Sequence, residues 1–143
     1  MTGRVIALDV GDVRIGVAMS DPLGIIASPH STIAAVSFDE DARAVEALAR
    51  EHEVACIVVG MPLNLKGETA HQAKKVQAFI ETLRGVTDIE IVTIDERMTT
   101  AAARRSLAEQ NVRGKKLKGL IDQMAAQQIL QLYLERRATL NRL

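Results

Sequence analysis

Aromatic side chains are nearly missing from this chain of 143 residues, which has two phenylalanines, one tyrosine and no tryptophan. Phe38, Phe79 and Tyr133 stand far apart, so a stacking platform for the bases of a single strand is not expected. The one cysteine, Cys56, excludes an intramolecular disulfide and, set in an apolar run, reads as core. Prolines are few, and no Pro/Gly/Ser-rich linker, internal repeat or low-complexity tract divides the chain. Residues 1–143 are therefore expected to form a single domain. No apolar run approaches the ~20 residues of a membrane span. The first ten residues lack the charged region, long apolar stretch and cleavage site of a signal peptide, so the expected location is cytoplasmic. His30, His52 and His71 are scattered without metal-ligand spacing.

What the chain does have is an uneven distribution of charge. The formal net charge is zero, yet residues 1–96 carry 8 Lys/Arg against 15 Asp/Glu, and residues 97–143 carry 10 against 3. Between Arg97 and Lys118 seven basic residues meet one acid, Glu109. A polyanion responds to that local field rather than to the average. A solvated helix face would explain the same run.

Hydrophobic patterning predicts alternating elements. Residues 4–10 and 14–20 read as strands joined at the Gly11-Asp12 turn signal, and a third strand falls within 24–33. Ser37 and Glu40 have capping-box spacing before a helix with Ala42, Val45, Leu48 and Ala49 on one face. Residues 54–60, apolar at nearly every position, read as a strand covered on both sides. A helix over 70–84 turns Ala73, Val76, Ile80 and Leu83 inward and stops at Gly85. A strand over 89–94 follows, then a helix from Thr99 or Thr100 to Gln110. After a basic loop, a last helix runs from about Gly119 to Arg137, with Gln123, Gln127, Gln131 and Glu135 as its wet stripe. The order β-β-β-α-β-α-β-α-α implies an α/β fold. It has a mixed five-stranded sheet, three antiparallel then parallel strands, with helices on both faces. That arrangement is RNase H-like, and actin-like ATPase lobes share it.

Three acids stand where chemistry could be done. Asp9 ends the first strand between apolar neighbours, placed either to hold a cation or to bond nearby amides of a turn. Asp95 and Glu96 follow the fifth strand, where alternation sends them to opposite sides; a plain polar strand end, with Arg97 pairing with either acid, is the other reading. Asp122 shares a helical face with Ala126, Ile129 and Tyr133, although an acid in a helix's first turn would also suit the dipole. Carboxylates converging at one rim of a sheet repel unless cations are bound. Oxygen-only ligands suit Mg²⁺ or Mn²⁺, and two such ions can activate water and stabilise the leaving oxygen in phosphodiester cleavage.

Asp9-Val10-Gly11, Arg14-Ile15-Gly16, then Gly60-Met61-Pro62-Leu63 with Gly67, occur in that order along the chain. Asp95-Glu96-Arg97-Met98-Thr99-Thr100 and Ala103 follow, and then Lys118, Asp122, Ala125 and Ala126. Together these resemble the four motifs of the YqgF/RuvX family of Holliday junction resolvases, also described as pre-16S ribosomal RNA nucleases. The resemblance implies an RNase H-like nuclease needing a divalent metal, Mg²⁺ or Mn²⁺, with two ions expected. The implied role is rRNA processing in ribosome biogenesis or branched-DNA processing in recombination. It implies Asp9, Glu96 and Asp122 as catalytic and metal-binding acids. Arg14 and Arg97 would contact phosphate or brace the carboxylates, and Arg104, Arg113, Lys115, Lys116 and Lys118 would bind the nucleic-acid backbone. The expected partner is structured RNA such as pre-16S rRNA, or a four-way DNA junction, met by a monomer or homodimer with no membrane association. The segment from Gly60 to Gly67 reads equally as a rigid loop or a substrate contact. Two rival functions are a nucleic-acid-binding module without catalysis and an actin-like ATPase lobe. The second would need a partner lobe that this chain does not carry.

Overall fold

The structure, a computed structural model, describes residues 3–62, 68–95 and 114–141. Five strands form its sheet: β1 (Arg4–Val10), β2 (Arg14–Ser20), β3 (Ala27–Ala34), β4 (Val54–Met61) and β5 (Glu90–Asp95). Their spatial order is β3-β2-β1-β4-β5. β1 pairs antiparallel with β2, and β2 with β3, whereas β4 and β5 join parallel. The described helices are α1 (Phe38–Glu51), α2 (Glu68–Arg84) and α3 (Lys115–Asn141). The expected helix over 99–110 lies outside the described residues.

Alternation along the strands sorts the core into two layers. Ile6, Leu8 and Val10 of β1, Ile15, Val17 and Met19 of β2, and Ile57 and Val59 of β4 face α1 and α2, meeting Val45, Phe79 and Leu83. Val5, Ala7, Ala18, Cys56 and Val58 face the other way and are covered by Ala126, Ile129, Leu130 and Leu134 of α3. A strand buried on both sides must be apolar at successive positions, which is why β1 and β4 read as unbroken runs. Within this second layer, burial pushes the Cys56 thiol up to about 11, so it behaves as core rather than as a nucleophile.

α1 begins as its sequence dictates, with Ser37 Oγ accepting from the Glu40 N–H at 3.1 Å. Asp41, one turn in, is buried and accepts from the Val36 N–H at 3.0 Å, a second tie at the same helix start. α2 ends where Gly85 donates to Glu81 and Thr82.

α3 departs from expectation at its start. It begins at Lys115, about four residues before the expected Gly119, so Lys115, Lys116 and Lys118 belong to a helix and not to a loop. Gly114 takes φ 94°, and its carbonyl accepts from the Lys118 N–H at 3.2 Å. A left-handed residue of this kind favours glycine and here sets the entry to the helix. The expected wet stripe is also only half wet. Gln123 donates to Thr32 Oγ1 and Gln127 to the Ala27 carbonyl, each at 3.0 Å, tying α3 to the edge strand β3. Gln131 and Glu135 remain exposed.

Candidate metal and nucleic-acid site

Asp9 stands on β1 in step with Val5 and Ala7, so its side chain faces α3. It is 4% exposed. Its register partner on β2 is Gly16. That glycine is a matter of space: a Cβ there would stand 2.9 Å from Asp122 Cβ and collide outright with the Asp122 carbonyl. The missing side chain lets the third turn of α3 rest on the sheet beside Asp9. Asp122, 5% exposed, is thereby brought to the same wall.

The longer α3 also removes the helix-dipole account of Asp122. With the helix starting at Lys115, Asp122 is no longer in the first turn, which contains no acid. Helix-dipole stabilisation falls off within a turn and does not account for a buried carboxylate here. Its partner is Arg14, on the same face of β2, whose Nε forms an ion pair with Asp122 Oδ2. The contact is one of charge rather than an aligned hydrogen bond.

Asp95 goes elsewhere. It is in register with Met61 of β4, and Met61 belongs to the layer under α1 and α2. Asp95 therefore lies across the sheet from Asp9 and Asp122. Glu96, Arg97, Arg104 and Arg113 lie outside the described residues. Lys115 and Lys116 open α3, and Lys118 is half-buried in its first turn.

At the end of β4, on the α3 face, stands Gly60. A Cβ there would meet Ile129 Cδ1 at 2.6 Å, so Ile129 occupies the place a side chain would need. Among the described residues no group of three His, Cys, Asp or Glu gathers in metal-ligand fashion. Asp9 and Asp122 supply oxygen donors alone, in a buried setting that the Arg14 guanidinium shares. That donor chemistry fits a hard divalent cation and not a soft one.

Two residues of α2 hold the turn between Asp9 and Arg14, and sequence reading does not single them out. Pairing of β1 with β4 stops at Leu8, and Gln72 Nε2 donates to the Val10 carbonyl at 3.0 Å. Lys75, three residues on, pairs with Asp12 in the turn itself. Their only sequence signal is the helical spacing of Gln72 and Lys75. Gln72→Ala is expected to lower stability by about 1 kcal/mol, because it strands a carbonyl beside the core. Lys75→Met, which breaks an exposed pair, should change stability much less. Urea titrations of the two variants check the ranking.

A five-stranded mixed sheet ordered β3-β2-β1-β4-β5, with α1 and α2 on one face and α3 on the other, is an RNase H-like fold. The structure of Thermus thermophilus RuvC in complex with a Holliday junction substrate has that fold in common with it. It aligns over 96% of this chain and 97% of its own, with a TM-score of 0.55 and 13% identity. The profile of the RuvX family, described as Holliday junction resolvase, matches residues 3–136, and the chain belongs to that family. A protein of Roseiflexus sp. (strain RS-1) named "Putative pre-16S rRNA nuclease" is 44% identical over 133 residues, 93% of this chain and 94% of its own. One of the same name from Endomicrobium trichonymphae is 41% identical over 133 residues, 92% and 95% of the two chains.

Proposed function

We propose that this chain is a divalent-metal-dependent nuclease of the cytoplasm that hydrolyses phosphodiester bonds in structured RNA, with the 5′ end of pre-16S rRNA as its substrate. The observation that carries the reading is the burial of Asp9 and Asp122 on one face of the sheet, brought together across Gly16. Carboxylates buried on one wall of a sheet are costly to leave uncompensated, and a cation held there would offset that cost. The names of the relatives at 44% and 41% identity favour RNA. The family's description favours a four-way DNA junction as the second reading.

Asp9 and Asp122 would hold the metal. Glu96 is proposed as the third acid, since Asp95 lies on the opposite face. When bound, Mg²⁺ or Mn²⁺, as one ion or two, polarises the scissile phosphate and lowers the pKa of a water nucleophile. The chain's own residues fix where that happens. β1 and α3 set the two carboxylates, and Gln72 and Lys75 steady the turn behind Asp9. Arg14, Arg97, Arg104, Arg113, Lys115, Lys116 and Lys118 are proposed to hold the backbone phosphates, which position without reading sequence.

The test is cleavage of a structured precursor RNA and a four-way DNA junction, in Mg²⁺, Mn²⁺ or chelator, by wild type and Asp122→Asn. Metal-dependent cutting of the RNA, lost in the variant, is the expected result. Preferential cutting of the junction would transfer the proposal to DNA. Binding without cutting under every condition would leave a nucleic-acid-binding module and defeat the catalytic reading.

A further inference from the structure

Arg14 holds one oxygen of the carboxylate that the proposed metal needs. Its Nε is paired with Asp122 Oδ2, with the Asp122 side chain 7% exposed and that of Arg14 17% exposed. A carboxylate so deeply buried is stabilised by a positive partner, which Arg14 supplies, since in the third turn of α3 the helix terminus is too far along the chain. One carboxylate oxygen cannot serve a guanidinium and a small, hard dication equally well. Two cations brought within a few ångströms of each other also repel. Arg14 stands at the first residue of β2, beside the turn over residues 11–13, on a long stem. Its guanidinium can therefore swing while the strand stays paired.

We propose that Arg14 is an exchangeable counter-cation: it holds Asp122 when no divalent ion is bound and gives up that carboxylate when one enters. Its guanidinium is then released at the open end of the sheet, where it meets the phosphate of the nucleic acid. No bond is made or broken in the exchange; one positive partner replaces another. Arg14 thereby links metal loading to substrate binding, because the positive charge that retained the apo site becomes available for the polyanion only once the ion is in place. This inference rests on the metal-dependent reading of the site.

The exchange predicts competition. Where the ion-paired form dominates the apo population by about tenfold, the apparent affinity for the ion is weakened by about the same factor. Mn²⁺ titrated calorimetrically into the full chain without nucleic acid should bind Arg14→Met about tenfold more tightly than wild type. Removing a positive charge can tighten cation binding without any exchange, so the side chain itself is observed as well. In wild type, the Arg14 Nε–H resonance should move and lose protection from water as Mg²⁺ saturates the site. That resonance is assigned by its disappearance in Arg14→Met. Equal or weaker Mn²⁺ binding by a folded Arg14→Met, or an Arg14 Nε–H unmoved at saturation, would overturn the exchange while leaving the metal site intact. Should Arg14→Met fail to fold, the wild-type resonance, assigned then through Arg14→Lys, still decides. Absence of divalent binding in wild type would remove the metal-dependent reading and the exchange together.

Discussion

Asp9→Asn is expected to lower cleavage by about 10³-fold or more, roughly 4 kcal/mol of transition-state stabilisation, while the protein still folds. The two halves of that result have separate causes. Asn fills the same volume at the end of β1 and keeps one acceptor, so the packing under α3 is undisturbed. It also replaces a buried charge by a neutral group, which lowers the desolvation cost of folding in the metal-free protein. Melting within a few degrees of wild type, or slightly above it, follows. The loss of activity follows because a neutral amide is a much poorer ligand for a hard dication than a carboxylate. Thermal unfolding in chelator together with cleavage in excess Mg²⁺ reads both. Full cleavage by Asp9→Asn would remove Asp9 from the site. A folded but inactive protein that still binds nucleic acid confirms its place there.

The largest stability change is expected at a residue with no side chain at all. Gly16→Ala should destabilise by about 3 kcal/mol through overpacking, and lower the melting temperature by roughly 10 °C. The added methyl would strike the backbone of Asp122, and a helix backbone yields only as a unit. α3 must lift from β2, which opens the layer around Ala18 and Ala126 and moves Asp122 away from Asp9. Activity should then fall even at temperatures where the protein remains folded. Gly60→Ala is the control. It lies on the same face, but its methyl would meet the tip of Ile129, which can change rotamer, so about 1 kcal/mol is expected. A Gly16→Ala protein as stable as Gly60→Ala would mean that α3 is not seated on β2 as closely as described.

Much of this architecture can be read from the residues because two-sided burial leaves a plain signal. β1, β2 and β4 need apolar side chains at consecutive positions, and their limits fall within one residue of those expected. α1 announces itself through Ser37 and Glu40. The start of α3 gave the opposite signal. Its first turn contains lysines and no acid, which opposes the helix dipole, and Gly119 looks like a break. In the fold, Gly119 is where Thr32 Oγ1 donates to the helix backbone at 3.1 Å, a contact spanning 87 positions that local pattern does not carry. Gln123 and Gln127 were legible as polar but not as bonded, because their partners on β3 are equally remote. The same division holds at the site. Asp9 and Asp122 stand out as acids among apolar neighbours. The space at Gly16 and the pairing of Arg14 with Asp122 exist only once α3 has docked.

That docking comes late in the order of synthesis. The five described strands and both described helices of the opposite layer precede α3 along the chain. While the polypeptide emerges from the ribosome, Val5, Ala7, Ala18, Cys56 and Val58 wait with an uncovered surface, and Asp9 waits with them. The arrival of one helix then closes the second core layer and delivers Asp122 in the same event. A nascent chain thus carries no pair of acids on that wall until α3 has docked.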